Sequence, residues 1–114
     1  MTQTLNFYPE NETNIHLRRK TCSVRLGKKY AKKFQVGEEI FLTSGVNPKL
    51  AFIVARVQIT KIEVIQVKDI TKEILESEGF SRISWTGFVK KLAKIYVRPI
   101  SELDTVTIIW WKYL

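Results

Sequence analysis

The feature that most constrains the fold is a long β-favourable segment, Leu50–Val67, whose alternation of apolar and polar residues changes phase along its length. Up to Thr60 one face is apolar at the two-residue period of a strand: Ala51, Ile53, Ala55, Val57 and Ile59. After Thr60 the apolar positions move to the other face, with Ile62 and Val64. We therefore predict a bulge, or a bend into a second pairing, near Thr60. Strands that bend in this way build small closed or half-open barrels.

Three other segments are predicted as strands because they are rich in β-branched and aromatic residues: Thr21–Leu26, Glu39–Thr43 and Asp104–Tyr113. In the first of these, Cys22, Val24 and Leu26 share one face, which we expect to pack in the core. The residues that follow, Gly27–Lys33, are predicted as a basic loop.

Two helices are predicted between the long strand and the last one. Thr71 can cap a helix that runs to about Glu78, where Gly79 fits a left-handed helix stop. Ser84 can cap the second helix, in which apolar residues recur at helical spacing as far as Tyr96. Strands interrupted by two helices indicate an α+β fold, a small mixed β-barrel with two helices packed on it.

Size and composition indicate one globular domain spanning residues 1–114. Of the 114 residues, 45% are hydrophobic and 26% charged, with five Gly and three Pro, which excludes a disordered or low-complexity chain. The longest apolar stretch, Leu50–Val57, is interrupted by Arg56 and is far shorter than the ~20 residues of a membrane helix. Because no secretory signal begins the sequence, we expect a cytoplasmic protein with no membrane partner, and a monomer.

Neither a metal nor a cofactor is expected. One cysteine, Cys22, and one histidine, His16, cannot supply the several ligands that a metal ion requires. The glycines have no spacing that would form a phosphate-binding loop.

Positive charge is concentrated in one part of the chain. The net charge is +8, and the segment 16–37 contains eight basic residues and no acidic one. They are Arg18, Arg19, Lys20, Arg25, Lys28, Lys29, Lys32 and Lys33. Such segregation is typical of a face that binds a polyanion, although a solvated lysine-rich loop would give the same pattern.

The same segment brings potential nucleophiles close to bases. Ser23 would need a neighbouring base to remove its proton, and Lys20 could do so only in its neutral form. Lys20 must lie in the loop before the strand to reach Ser23, because residues three apart in a strand point to opposite faces. The alternative is that Lys20 and the arginines only contact phosphate groups. Cys22 is a rival nucleophile, but its strand face indicates a buried structural thiol.

The residues Arg19–Arg25 (RKTCSVR), the turn Phe34–Glu38 (FQVGE) and the segment Leu75–Phe80 (LESEGF), followed by an amphipathic helix, resemble the ASCH (activating signal cointegrator homology) domain. The resemblance covers the chain from about Ile15 to Tyr113 and implies a PUA-like barrel. The central motif of the family is G-x-K-x-x-E-x-R. Here Lys20 and Arg25 occupy the Lys and Arg positions, whereas Arg18 replaces the Gly and Ser23 replaces the Glu.

The resemblance also implies a site. A subgroup of small ASCH proteins has Thr where this chain has Ser23, and a bacterial member hydrolyses the amide of N4-acetylcytidine with a Thr nucleophile, a Lys and a Glu. Carried over, the catalytic residues would be Ser23, Lys20 and Glu78. From the sequence pattern alone, Glu78 would be an ordinary exposed helix residue.

Other relatives are thought to bind RNA, and a few cleave it. We therefore expect RNA or a modified nucleoside as the partner, bound in a basic cleft formed by residues 18–33, with amide hydrolysis as the alternative. The RNA-binding residues would be the eight basic residues above together with Tyr30, which either stacks on a base or packs against its own loop. Lys90, Lys91 and Lys94 would extend the basic track if their helix lies beside the cleft.

Overall fold

The computed structural model describes residues 2–80 and 82–114, and its centre is a five-stranded mixed sheet. The strands are β1 (Thr4–Phe7), β2 (Cys22–Leu26), β3 (Glu39–Ser44), β4 (Phe52–Gln66) and β5 (Thr105–Tyr113). Their order is β1-β3-β4-β5-β2, in which β1 and β3 are parallel and the other neighbours antiparallel. The sheet forms a half-barrel, which confirms the predicted α+β fold class.

The long strand β4 contains the predicted bulge. Ile59 pairs with Trp111 and Lys61 with Trp110, so Thr60 is the inserted residue. A second register shift was not predicted: on the β3 side the pairing passes over Val54. These two insertions explain why the predicted faces were partly wrong. The side chains of Ile53 and Val64 are 60% and 46% exposed, whereas Val57 and Ile59 are buried as expected.

In the described ranges, four α-helices accompany the sheet: α1 (Glu12–His16), α2 (Lys29–Lys33), α3 (Lys72–Ser77) and α4 (Trp85–Tyr96). The caps of the last two are as predicted, since Thr71 and Ser84 accept hydrogen bonds from the backbone N–H groups of Ile74 and Gly87. The prediction of a loop over Gly27–Lys33 was wrong, because its last five residues form α2. In the described part of the chain, no helix is long and apolar enough to cross a membrane.

Two hydrophobic clusters cover the two faces of the sheet. Successive residues of β5 point to opposite faces, and accordingly Ile109 belongs to one cluster and Ile108 to the other. The first cluster joins β1, α1 and α2 to the sheet, through Leu5, Ile15 and Phe34 among others. The second lies under α3 and α4. β1 and β2 are the outer strands of the sheet, and each pairs with one neighbouring strand among those described. Their other edges are therefore open to form a site.

Among the described residues, two other than glycine have a positive φ: Arg18 with φ 60° and Val97, at the end of α4, with φ 53°. This conformation costs about 1–2 kcal/mol for an L-residue. The Val97→Gly variant is therefore expected to raise the free energy of unfolding by about 0.5–1 kcal/mol, after the greater flexibility of unfolded glycine is allowed for. Arg18→Gly should raise the free energy of unfolding by less, because it also removes the contact between the Arg18 guanidinium and the Tyr113 ring, whose centre is 5.7 Å away.

Urea denaturation measures both effects. Val36→Gly is the matched control, since Val36 is also exposed but its φ is not positive. It should lower the stability by about 0.5–1 kcal/mol. If Val36→Gly and Val97→Gly lowered the free energy of unfolding equally, the assignment of backbone strain to Val97 would be contradicted.

Candidate functional site

A cleft of about 460 Å³ lies at the edges of β1 and β2. These are the two edge strands of the sheet, so the cleft marks the place where the half-barrel stays open. Arg25 links the edges, because its Nη2 donates to the backbone oxygen of Asn6 at 2.9 Å. Among the residues that line the cleft are Lys20, Ser23 and Glu78, which are the three predicted catalytic residues.

Lys20 and Glu78 form a buried ion pair in the cleft. The Lys20 residue is 1% exposed and Glu78 is 6% exposed. The ammonium Nζ donates to Glu78 Oε2 and, at 3.1 Å, to the backbone oxygen of the same residue. The other carboxylate oxygen, Oε1, accepts from the backbone N–H of Val24. Removing two charges from water is costly, and these contacts offset that cost.

The backbone around Lys20 is held from several sides. The N–H groups of Arg19 and Lys20 both donate to the carbonyl of Asn14, at 2.8 and 3.1 Å. The Tyr113 hydroxyl donates to the Lys20 carbonyl, and burial raises the pKa of that hydroxyl. The left-handed Arg18 completes the turn. A glycine is favoured in that conformation, and Arg18 stands at the Gly position of the motif that this segment resembles.

Glu78 is not the exposed helix residue that its sequence pattern predicted. It follows the last residue of α3, one turn after Ile74, and Ile74 and Leu75 face the core. The backbone N–H of Glu78 still donates to the Ile74 carbonyl, so its side chain falls on the same inward face. Gly79, with φ 103°, then turns the chain away. The carry-over from the family motif did place Glu78 in the same cleft as Lys20.

Ser23 is also buried, at 2% exposure, but its contact is with Arg25. Arg25 Nε donates to Ser23 Oγ at 2.8 Å. Lys20 does lie in the loop before β2, as the predicted geometry required. However, the hydrogen bonds of the described residues include none between Lys20 Nζ and Ser23 Oγ. The structure thus brings nucleophile and base into one cleft without joining them.

Two aromatic rings lie close to the guanidinium of Arg25. Its central carbon lies 4.7 Å from the Phe7 ring centre and 5.4 Å from that of Tyr30. Tyr30 is parallel to Phe34, with ring centres 6.1 Å apart, and both belong to the first hydrophobic cluster or pack against it. Tyr30 therefore packs against its own segment, which was one of the two predicted roles, and its ring also lines the cleft.

The predicted RNA-binding residues divide into two groups. Those that line the cleft are Lys20, Arg25, Tyr30 and Lys33. Those outside its lining are Arg18, Arg19, Lys28, Lys29 and Lys32. Of the lysines of α2, only Lys33 lines the cleft, although Lys29, one turn before it, lies on the same side of the helix.

The N-terminal segment forms a wall of the cleft that was not predicted. Asn6 and Phe7 line the cleft from β1, Tyr8 lines it directly after β1, and Lys91 lines it from α4. The signal was present, since Thr4–Phe7 alternates polar and apolar residues and is followed by Pro9. Within the described ranges, no group of three or more His, Cys, Asp or Glu side chains is placed to hold a metal ion.

Cys22 is fully buried beside this site, as the prediction of a structural thiol requires. Its Sγ donates to the Ile74 carbonyl at 3.6 Å. Burial raises the pKa of the thiol far above its usual value, and the negative charge of Glu78 raises it further. A thiol in this state is a poor nucleophile.

No family model and no curated protein matches the sequence. Solved structures do match the fold. The ASCH domain from Lactobacillus crispatus JV V101 is 13% identical with a TM-score of 0.66, over 97% of this chain and 79% of that one. The hypothetical protein PH0355 is 19% identical with a TM-score of 0.73, over 100% of both chains. A variant of ZmASCH from Zymomonas mobilis is 11% identical with a TM-score of 0.60, over 96% of this chain and 67% of that one. The chain therefore has an ASCH-like fold, as its motif resemblance implied.

Proposed function

We propose that the cleft binds a nucleotide of single-stranded RNA, or a modified nucleoside. The observation that carries this proposal is the position of Arg25, which lies within 5.4 Å of the centres of two aromatic rings and bridges the open edges of the half-barrel. Stacked cations and aromatic rings are the groups with which proteins hold unpaired bases. A cleft of about 460 Å³ lies within the size range of ligand sites.

The charges of the cleft support an anionic ligand. Four basic side chains line it, namely Lys20, Arg25, Lys33 and Lys91, against the two acidic side chains of Glu10 and Glu78. Both carboxylates are paired with lysines inside the cleft. The positive charges of Arg25 and Lys33 therefore remain to attract phosphate groups.

Salt dependence of RNA binding tests this proposal. The affinity for a short single-stranded RNA should fall steeply with salt, because phosphate contacts release counterions. Lys33→Gln should reduce the slope of log K against log salt by about 0.7, the value for one phosphate of a single strand. Fluorescence anisotropy at several salt concentrations gives both quantities.

Lys32→Gln is the matched control, since Lys32 precedes Lys33 in α2 but does not line the cleft. It should change the slope by much less. Binding that is undetectable, or that does not depend on salt, would refute the proposal. Equal effects of the two variants would show that binding lies outside the cleft.

A second candidate function is amide hydrolysis, favoured by the burial of Ser23 in the same cleft as the Lys20–Glu78 pair. Ser23 Oγ would attack the acyl carbonyl on the exocyclic amine of cytidine. Lys20 would accept the hydroxyl proton and return it to the leaving amine as the C–N bond breaks, and water would then hydrolyse the acyl-serine. Glu78 would position Lys20 through the hydrogen bond that it accepts from Nζ.

Incubation with N4-acetylcytidine, followed by chromatography for cytidine and acetate, tests this activity. Ser23→Ala should abolish product release while the chain stays folded, because no acyl-enzyme can form. Ser44→Ala is the control, a buried serine outside the cleft lining, and it should retain turnover. Product release by Ser23→Ala would exclude Ser23 as the nucleophile.

A further inference from the structure

We infer that the groove along α4 binds a second nucleotide, next to the one in the cleft, so that the ligand is an oligonucleotide. This inference rests on the nucleotide binding proposed for the cleft. The groove is about 810 Å³ in volume and shares Tyr8, Glu10, Lys91 and Ile95 with the cleft lining. The two are therefore parts of one continuous trough.

Lysines supply the charge of this groove. Lys90 and Lys94 line it and are exposed, and they lie one helical turn apart on the same side of α4. In the described part of the chain, neither forms an ion pair. Two unpaired ammonium groups beside an open groove can each contact a backbone phosphate.

Tyr8 supplies an aromatic surface where the groove meets the cleft. Its side chain is 46% exposed, and its ring has no stacking or cation contact with the described residues. Tyr30, by contrast, is packed on Phe34 and lies close to Arg25. The Tyr8 ring is therefore open to stack on a base. One exposed ring is sufficient here, because the groove is proposed to hold one additional nucleotide.

Glu10 offers a test in which a substitution should strengthen binding and not weaken it. Its carboxylate is 3.5 Å from Lys91 Nζ, which also lies 4.0 Å from the Phe80 ring centre. Lys91 is thus held in place at the junction, and the carboxylate of Glu10 would repel a phosphate that passes it. Removal of this charge should strengthen the binding of a polyanion, whereas removal of a lysine should weaken it.

The experiment measures binding of fluorescent hexacytidylate by anisotropy. We expect the double variant Lys90→Gln/Lys94→Gln to weaken binding about ten-fold and to lower the salt slope by about 1.4, for two phosphates. Tyr8→Ala should weaken it about five-fold or more. Glu10→Gln should strengthen it. Lys68→Gln/Lys72→Gln is the control, since it removes the same charge outside both linings and should have little effect.

The outcomes separate this inference from the proposed function. Binding that depends on Lys33 but not on Tyr8, Lys90 or Lys94 would overturn the second subsite and leave the cleft proposal standing. Absence of binding would overturn both. Displacement of the RNA by poly-glutamate, with the same dependence on the α4 lysines, would show that the groove takes acidic polypeptides instead. If Glu10→Gln bound the RNA more weakly than the unaltered chain, the claim that the phosphates pass close to Glu10 would be refuted.

Discussion

Replacement of Lys20 by Met should lower the free energy of unfolding by about 3–5 kcal/mol. The reason is that Glu78, which is 6% exposed, would be left as a buried carboxylate without its cation. Since small domains are stable by about 5–15 kcal/mol, this loss is a large part of the total. Urea denaturation followed by circular dichroism measures it.

The double variant Lys20→Met/Glu78→Gln should recover most of that loss. It removes both charges, and the glutamine oxygen can still accept from the backbone N–H of Val24, as Glu78 Oε1 does. The control is Arg56→Met, which breaks an exposed ion pair between Arg56 and Glu39. The side chain of Arg56 is 57% exposed and that of Glu39 is 47% exposed. That change should cost less than about 1 kcal/mol. If Lys20→Met cost no more than Arg56→Met, the pair would not be buried in solution.

The cost of an unpaired charge also determines how the site can be studied. Loss of activity in a Lys20 variant would not by itself identify a catalytic base, since the same change is expected to destabilise the fold. Ser23 and Lys33 are better probes. Neither belongs to the ion pair, so their variants change the chemistry or the charge of the cleft with less effect on the fold.

Local patterns predicted much of this fold. The phase change at Thr60 identified a bulge, and the capping residues Thr71 and Ser84 located two helices, because in each case the signal lies within a few neighbouring residues. The bulge at Val54 was missed. Its insertion is visible only in the pairing with β3, because residues 50–55 are all apolar and an extra residue there changes no pattern of alternation.

The site was harder to predict because its parts are distant in the sequence. Lys20 and Glu78 are 58 residues apart, and a charged residue at the end of a short helix is usually exposed. The clue was the helical period, which places Glu78 one turn after the buried Ile74. The motif resemblance placed Lys20, Ser23 and Glu78 in one site, whereas the composition indicated only that the partner would be an anion.

Cys22 should react with a thiol reagent at pH 8 at least about 10³-fold more slowly in the folded chain than in urea. The side chain is fully buried and its raised pKa keeps it protonated, so reagent reaches it only when the chain opens. The unfolded chain loses this proton near its ordinary pKa of 9.0, whereas the folded chain keeps it. The contribution of the thiol to stability is therefore complete below about pH 9 and decreases as the pH rises above that value. Labelling followed by mass spectrometry measures the rates.

The same thiol reports on the ion pair, because Cys22 is two residues after Lys20 and its Sγ donates to the Ile74 carbonyl of α3, the helix that Glu78 follows. When opening is rapid compared with labelling, the rate follows the population of the open state. A loss of about 3–5 kcal/mol in Lys20→Met should then raise the labelling rate of Cys22 by about 10²-fold to 4 × 10³-fold, at about 1.4 kcal/mol for each factor of ten. Arg56→Met should raise it by less than about five-fold. Fast labelling of the unaltered folded chain would contradict the burial of Cys22, and an unchanged rate in Lys20→Met would show that the ion pair does not hold β2 against α3.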